Sequence, residues 1–565
     1  MAQGEIFREV ISMIVTVDKN ELMKLIGEKL SVKTLEDTLF LMKAEIERVD
    51  GNEIQIEINP DRQDMLSVEG LARAIRAFLE IETGLKEFPV TKSGKKIIVG
   101  KGLEKIRKYI SCGIVRDVEI NNNLVKEYMQ LQEALTATHG RNRRKASIGL
   151  YVFDDIKFPI HYTLRKPEKI SFVPLGHEDV MDGNTILEQH EKGIEYGHII
   201  STFPKWPLLV DSEDQVLSLP PVINSNTLGK ITENTTNIFV EVTGTHLPTV
   251  NQALNIMVTS LAQRKGSIES LSVIYPDETK ETTPNLLPLK MTVTKQEVKE
   301  LLGLDLDDDE ILRSMGRVGY NATIKGQKIT VEAPAYRTDI LHPVDVIEDL
   351  AIGYGFDRII PTMPSSMTQG KLQNITRLKN KVRDLMVGME FQEILSYIMT
   401  SPTTLTEKML RKDPIVVTTN PRSRDYSVLR NALLPILMDF ASLNQHADLP
   451  QRIFEVGDVV VPNESKETRT DQIPSICGLV TDVKVNITDL MKDIGYLLRN
   501  LDLDGKFKFV AQDDSTFIAG RTAQIVVNNK VVGFFGEIAP EVLSNFGISS
   551  PIVAFELQLP RNCQW

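Results

Sequence analysis

The sequence predicts a multidomain α+β protein: two similar small αβ modules bracketing a large α+β domain, followed by an antiparallel sheet flanked by helices. Three observations predict it. The first is an internal echo. The stretches Ile54 to Ile75 and Ile329 to Gly355 both read strand, Glu-x-x-x-x-Arg-x-Asp, Leu, helix, matching Glu57 with Glu332, Arg62 with Arg337, Asp64 with Asp339 and Leu66 with Leu341. The second is that strand-like runs and helical patterns interleave without the regular alternation of βαβ units. The third is size: 565 residues at 42% hydrophobic and 25% charged supply cores for about four domains.

Residues 1–88 form the first module, and Val15 to Gly27 within it resembles Val293 to Gly303 of the second, residues 288–360. The Lys/Gly-rich stretch from Phe88 to Lys101 reads as an exit linker. In the region 105–275, strand-like runs at Ser111 to Ile120, Ser147 to Phe153 and Asn237 to Gly244 alternate with helical patterns at Asn123 to Thr138 and Val250 to Arg264. Pro361 to Gly370 is a linker by composition. Residues 371–565 open on the amphipathic Ile375 to Met386 and continue through strand-like runs at Glu393 to Met399, Pro414 to Thr418, Arg452 to Val460, Ala523 to Val527 and Val531 to Ile538.

No apolar run approaches the 18 or so residues of a membrane helix, and the start, Met1 to Glu9, lacks the basic and apolar regions of a signal peptide. Cys112, Cys477 and Cys563 are too scattered for a zinc cluster and too few for a disulfide framework, which suits a reducing cytoplasm. A net charge of −12 and a pI near 5.4 argue against a surface that coats nucleic acid, so any RNA contact is local. Two basic stretches are available, Lys92 to Lys108 and Gly140 to Lys145, although the default reading of each is a solvated loop.

The string Gly353 to Arg358 resembles a nucleotide-binding signature but follows a helix, where it reads as a terminator. Gly94 to Gly102 misses a phosphate loop by one residue and a hydroxyl, and no G-x-S-x-G, H-E-x-x-H or paired-Cys motif occurs, which excludes an autonomous esterase, protease or P-loop ATPase. Asp345, Glu348 and Asp349 fall at i, i+3 and i+4, on one face of a helix, with Asp339 in the turn before it. Two readings stay open: four hard oxygen donors for Mg2+, or a helix start in which Asp345 and Glu348 have capping-box spacing and first-turn acids complement the dipole.

Six phrases in order carry a resemblance: Asn59 to Arg73, Thr138 to Gly149, Leu219 to Ser225, Glu241 to Thr245, Ala335 to Ile340 and Phe454 to Asp458. Together they resemble the β subunits of archaeal and eukaryotic-type phenylalanyl-tRNA synthetases, over about residues 10–560. The resemblance implies a cytoplasmic (αβ)2 heterotetramer in which the α subunit binds ATP and phenylalanine and aminoacylates tRNA, while this chain scaffolds, assists tRNA binding and edits. It implies that residues 371–565 copy the class II synthetase fold without a working active site and dock the α subunit. It also implies Mg2+ at Asp339, Asp345, Glu348 and Asp349. The upstream copy, read as Asp64, Glu69, Ala72 and Arg73, is expected to be metal-free.

For editing, the resemblance points to the middle domain. An apolar pocket rejects an added hydroxyl only about a hundredfold, so tyrosine charged in error needs a second, hydrolytic site. The implied roles are Glu241 for the tyrosyl hydroxyl, Leu209 for the ring, and Ser218 and Thr243 for the ester or its water, with Asn224 and His246 near. From the residues alone, Glu241 and Thr243 alternate with Val240, Val242 and Gly244, and the pattern favours the polar face of a half-buried strand. The alternative function is a structural, tRNA-binding subunit without hydrolysis.

Overall fold

The computed structural model describes residues 14–364 and 368–560, apart from the side chains of Asn122 and Asn123; Cys563 and the Met1 to Glu9 start lie outside the described residues. The chain divides into two compact units, residues 1–362 and 363–565.

The echoed stretches fold alike. In the first, strands Ile14–Asp18, Glu53–Ile58 and Ala44–Asp50 form an antiparallel sheet in that spatial order; in the second, Leu289–Thr294, Lys328–Ala333 and Asn321–Lys325 do the same. Each opening strand runs into a helix capped by its last residue, Asp18 before Lys19–Ile26 and Thr294 before Lys295–Leu302. Both helices end on a left-handed glycine, Gly27 at φ 85° and Gly303 at φ 71°, a conformation in which a side chain would strain the backbone. The helix after each Arg-x-Asp turn, Val68–Phe78 or Pro343–Tyr354, is capped by Ser67 or His342.

Between the modules lies a ten-stranded sheet. Its main path runs Ile223–Asn224, Val216–Leu219, Trp206–Val210, Ile160–Arg165, Val90–Val99, Ser267–Ile274, Tyr109–Arg116, Ile238–Gly244 and Ala146–Val152, with Lys280–Thr283 paired to Ser267–Ile274. The stretch Phe88 to Lys101 is therefore no linker. Val90–Val99 pairs in parallel with both Ser267–Ile274 and Ile160–Arg165. Lys92 and Lys96 are exposed while Ile97 and Val99 are buried, and a register shift between Ser270 and Ser272 is accommodated around Gly94 at φ 72°.

The strand Ile238–Gly244 separates two cores. Ile238, Val240 and Val242 pack with helix Leu247–Ala262 into a core continuous with the first module, whereas Phe239 faces a second cluster with Cys112, Tyr151, Tyr162 and Leu209. All seven residues of this strand are buried. The half-buried polar face read from the alternation is not formed, because the strand is interior, paired on both edges by Tyr109–Arg116 and Ala146–Val152.

Residues 363–565 build a seven-stranded sheet in the order Gln392–Glu393, Gln451–Pro462, Thr470–Thr481, Ile552–Gln558, Lys530–Ile538, Phe517–Val527, Phe507–Ala511. Only the first pair is parallel. Helices Asn374–Gly388 and Ile487–Asn500 share one core with Phe454 and Ile476; Leu434–Leu443 and Pro540–Phe546 share the other with Ile453 and Cys477. The alternation of Ile476 and Cys477 between the two cores shows that both sheet faces are covered.

Candidate functional site

A cavity of about 480 Å3 opens beside the buried strand Ile238–Gly244. Glu241 enters it from this strand, Ser147, Ile148 and Leu150 from Ala146–Val152, and Ser218 and Asn224 from the two outer strands and the turn between them, which holds Pro220 and Pro221.

Glu241 is 2% exposed. The Tyr151 hydroxyl donates to its Oε2 at 2.9 Å, while Oε1 has no hydrogen-bond partner. Tyr151 also reaches Asn224 Oδ1 at 3.3 Å. Burial pushes the Glu241 carboxyl up to about 7, against the opposing pull of the Tyr151 and Thr243 hydroxyls and the Arg107 charge. The same burial pushes the Tyr151 phenol well above its ordinary range, so it remains a donor at neutral pH. Ser218 Oγ, also 2% exposed, completes no hydrogen bond of ordinary geometry.

Room for this arrangement comes from Gly149, directly across the strand pair from Glu241. A Cβ there would meet Tyr151 Oη at 2.3 Å and Glu241 Oε2 at 2.6 Å. Behind the wall, Arg107 is buried among neutral acceptors: its Nε donates to Thr243 Oγ1 at 3.0 Å, Nη2 to Ser147 Oγ at 2.9 Å and Thr243 O at 2.6 Å, and Nη1 to Arg143 O at 2.9 Å. Burial without an adjacent carboxylate lowers its guanidinium to about 10.

Of the sequence-derived set, Glu241, Ser218 and Asn224 line the cavity together. The others do not. Leu209 lies opposite Ser218 in the strand register, but its side chain is fully buried in the cluster with Tyr151, Tyr162 and Phe239 and does not line the cavity, so the apolar wall falls to Ile148, Leu150, Val222 and Ile223. Thr243 also does not line it, because its hydroxyl is tied to Arg107 and, at 3.2 Å, to Ser147. His246 is not on the lining either; it caps helix Leu247–Ala262. Within Gly140 to Lys145, Arg143 turns inward onto Pro221 O and Val222 O, leaving Arg141 and Arg144 exposed.

Arg107, Ser147, Gly149 and Tyr151 were missed. The period-two phase of 147, 149 and 151 was visible as a small, small, aromatic face of one strand. That it faces Glu241 depends on cross-strand register, which no local pattern contains.

The four acids proposed for Mg2+ are dispersed among other partners. Asp345 Oδ2 accepts from Leu341 N at 2.8 Å and His342 N at 2.7 Å, in a capping box with His342 rather than with Glu348. Glu348 is paired with Lys43 Nζ at 2.8 Å. Arg337 donates in a fork to Asp339 and again to Asp349 at 2.6 Å, and Tyr320 also donates to Asp349. Among the described residues no three His, Cys, Asp or Glu side chains converge on one point. As placed, this set does not fit a single ion: its carboxylates do not converge, and at least one oxygen of each already accepts from backbone donors, Tyr320 or fixed cations. The upstream comparison also shifts by one: with Ser67 and His342 as matching caps, Asp345, Glu348 and Asp349 correspond to Gly70, Arg73 and Ala74.

Comparison with known proteins places this geometry in a class. Residues 291–356 match the model described as "tRNA synthetase B5 domain", and residues 359–559 the "Phenylalanyl tRNA synthetase beta chain CLM domain". The chain is thus an aminoacyl-tRNA synthetase component. It is 40% identical over 550 residues to the phenylalanine–tRNA ligase β subunit of Thermococcus sibiricus, covering 96% of this chain and 98% of that one. Against the β subunit of Methanococcoides burtonii the identity is 38% over 550 residues, covering 97% and 99%. The crystal structure of an N-terminal fragment of the phenylalanyl-tRNA synthetase β subunit from Pyrococcus horikoshii superposes with a TM-score of 0.59 at 39% identity, covering 60% of this chain and 99% of the fragment. The chain belongs to the family of archaeal phenylalanine–tRNA ligase β subunits.

Proposed function

We propose that this chain, as the β subunit of a phenylalanine–tRNA ligase, supports ATP-dependent charging carried out on an α subunit and hydrolyses tyrosine wrongly esterified to the phenylalanine tRNA. The observation that carries the editing reading is a buried carboxylate with one oxygen held by Tyr151 and the other unpartnered at a cavity of about 480 Å3.

A tyrosyl ring seated against Ile148, Leu150 and Val222 delivers its hydroxyl to the free oxygen of Glu241. A phenylalanyl ring leaves that oxygen buried and unpaired, and sites built around such a hydrogen bond reject the analogue lacking it by about 10^4-fold. The cavity therefore spares the correct product. Hydrolysis adds the oxygen of water to the ester carbonyl carbon, breaks the acyl bond to ribose, and releases the amino acid and the ribose hydroxyl. Ser218, whose hydroxyl has no fixed partner, donates to the developing oxyanion, and Ser147, oriented from behind by Arg107, holds the water. Thr243 is a positioning residue, acting through Arg107 and Ser147.

Residues 363–565 serve as the docking wall for the α subunit in an (αβ)2 assembly. The support is a run of apolar side chains exposed on this unit, with Leu395 at 90% and Tyr397 at 76%. ATP and phenylalanine bind on the partner.

The test is the lifetime of tyrosyl-tRNA for phenylalanine in the presence of the assembled enzyme. Wild type shortens it and Glu241→Ala abolishes the effect while phenylalanine charging persists. An unchanged lifetime with wild type removes editing.

A further inference from the structure

We propose that one end of the ten-stranded sheet, where Arg165, Lys166, Lys169 and Lys205 line a shared cleft, is a docking surface for the phosphate backbone of RNA.

Topology assembles it. Val90–Val99 and Ile160–Arg165 are parallel, so they end on the same sheet edge, and the antiparallel Trp206–Val210 begins there, with Trp206 opposite Arg165. The residues just beyond those strand ends are Lys101, Lys166 and Lys205. Lys169 joins them on the turn Pro167–Lys169, and Gly102 packs on Leu164, which lines the cleft.

Lys101, Lys166, Lys169 and Lys205 are all exposed, and none carries an ion pair among the described residues. Arg165 is paired with Asp214, and Glu168 is the acid on the same turn as Lys169. What sets this end apart on a chain of net charge −12 is that Arg165, Lys166, Lys169 and Lys205 gather on one cleft with Lys101 beside it, against two nearby carboxylates, Asp214 and Glu168. Flexible lysines around an open cleft of about 370 Å3 suit point contacts to phosphates better than capture of one small anion.

Position selects RNA over an acidic protein. Trp206 lies three residues along its strand from Leu209, which pairs with Ser218 of the cavity, a separation of about 10 Å at 3.3 Å per residue. An RNA whose terminal ester sits in the cavity thus has its preceding phosphates within reach of this end. This placement rests on the editing reading, although the charge excess does not.

The experiment measures affinity of uncharged phenylalanine tRNA for the enzyme co-expressed with its α subunit, from 50 to 300 mM salt. The variants are Lys166→Ala/Lys169→Ala/Lys205→Ala and the charge-keeping Lys→Arg triple, with melting curves to check folding. Each lost phosphate contact lowers the slope of log K against log salt by about 0.7 to 0.9. The alanine variant is expected to lose a slope of about two or more and roughly a hundredfold in affinity at 0.1 M salt, while the arginine variant retains both. Wild-type slope and affinity in a folded alanine variant overturn the proposal and leave a solvated basic edge. Glu241→Ala, measured for this affinity and separately for tyrosyl-tRNA lifetime, separates the readings: loss of hydrolysis with unchanged affinity assigns chemistry to the cavity alone. A wild type that binds through the lysines but never hydrolyses refutes editing and not the surface.

Discussion

Replacing Glu241 by Gln keeps the shape of the side chain and removes its titration. The folded carboxyl titrates near 7 rather than 4.5, a difference worth roughly 3 kcal/mol. Because the folded value is raised, the folded chain holds a proton that the unfolded chain has released between pH 4.5 and 7. Stability therefore falls as pH rises through that window, and the full penalty stands above it. The Gln variant lacks this decline. At about 2.1 cal/mol/K per residue, a unit of 362 residues loses roughly 4 °C of melting temperature for 3 kcal/mol, so wild type minus variant should drift downward by that amount from pH 5 to pH 8. Catalysis moves oppositely. The ionised carboxylate is the acceptor for the tyrosyl hydroxyl, so kcat/KM of wild type for tyrosyl-tRNA gains nearly tenfold per pH unit below 7 and levels above it, measured against the Gln variant to remove the hydroxide background. Parallel melting and rate profiles for the two proteins would refute the buried, titrating acceptor.

Tyr151→Phe removes the donor to Oε2 and moves the acid limb of that profile to higher pH, at a cost of about 1–3 kcal/mol above pH 7, read from melts and pH–rate curves. Gly149→Ala places a methyl where Tyr151 Oη and Glu241 Oε2 meet; hydrolysis of tyrosyl-tRNA should fall at least about tenfold while phenylalanine charging by the complex stays within twofold. Arg337→Met strips the shared cation from Asp339 and the buried Asp349, and calorimetry of the second module's transition should show a loss of about 3–5 kcal/mol at pH 7 that shrinks as acid protonates Asp349, whose carboxyl burial already holds above its ordinary value.

The echo between Glu57 and Glu332 was legible in sequence because repeats preserve spacing, and so was the likeness of Val15 to Gly27 and Val293 to Gly303, which the structure folds as matching strand–helix units. The strand Val90–Val99 was not, since its alternation is diluted by lysines on the exposed side and shifted by the bulge at Gly94. Glu241 and Ser218 lie 23 positions apart, and Tyr151 and Arg107 lie further off still. Only a ten-strand pairing order brings Glu241 and Ser218 to one cavity with Tyr151 and Arg107 packed behind it, and such long-range registers leave no periodic trace. Leu209 and Thr243 show the complementary failure: they lie on the right strands, but their side chains are packed behind the lining, Leu209 in the cluster with Tyr151 and Thr243 on Arg107 and Ser147.

The acid spacing on helix Pro343–Tyr354 has its explanation in how the two modules meet. Position 63 touches its own counterpart, 338, through Thr338 Oγ1 and Gln63 Oε1 at 3.4 Å, and flanking them the Arg62–Asp64 and Arg337–Asp339 forks repeat the same geometry. Contacts further out come in related pairs. Arg73 of the first module covers the Tyr336 ring of the second at 3.9 Å; the exchanged positions, 348 and 61, are Glu348 and Asp61, which share Lys43 at 2.8 Å each. A self-contact of equivalent residues with exchanged outer pairs is what two-fold packing of duplicated units produces. Once the copies face each other, charge must balance across the joint, and the differences between them follow: an acid at 348 where the first module has Arg73, and Asp349, where it has Ala74, adding a second carboxylate to the Arg337 fork. Three carboxylates on one helix face are thus assigned to three different tasks, capping, docking and holding Arg337 in place.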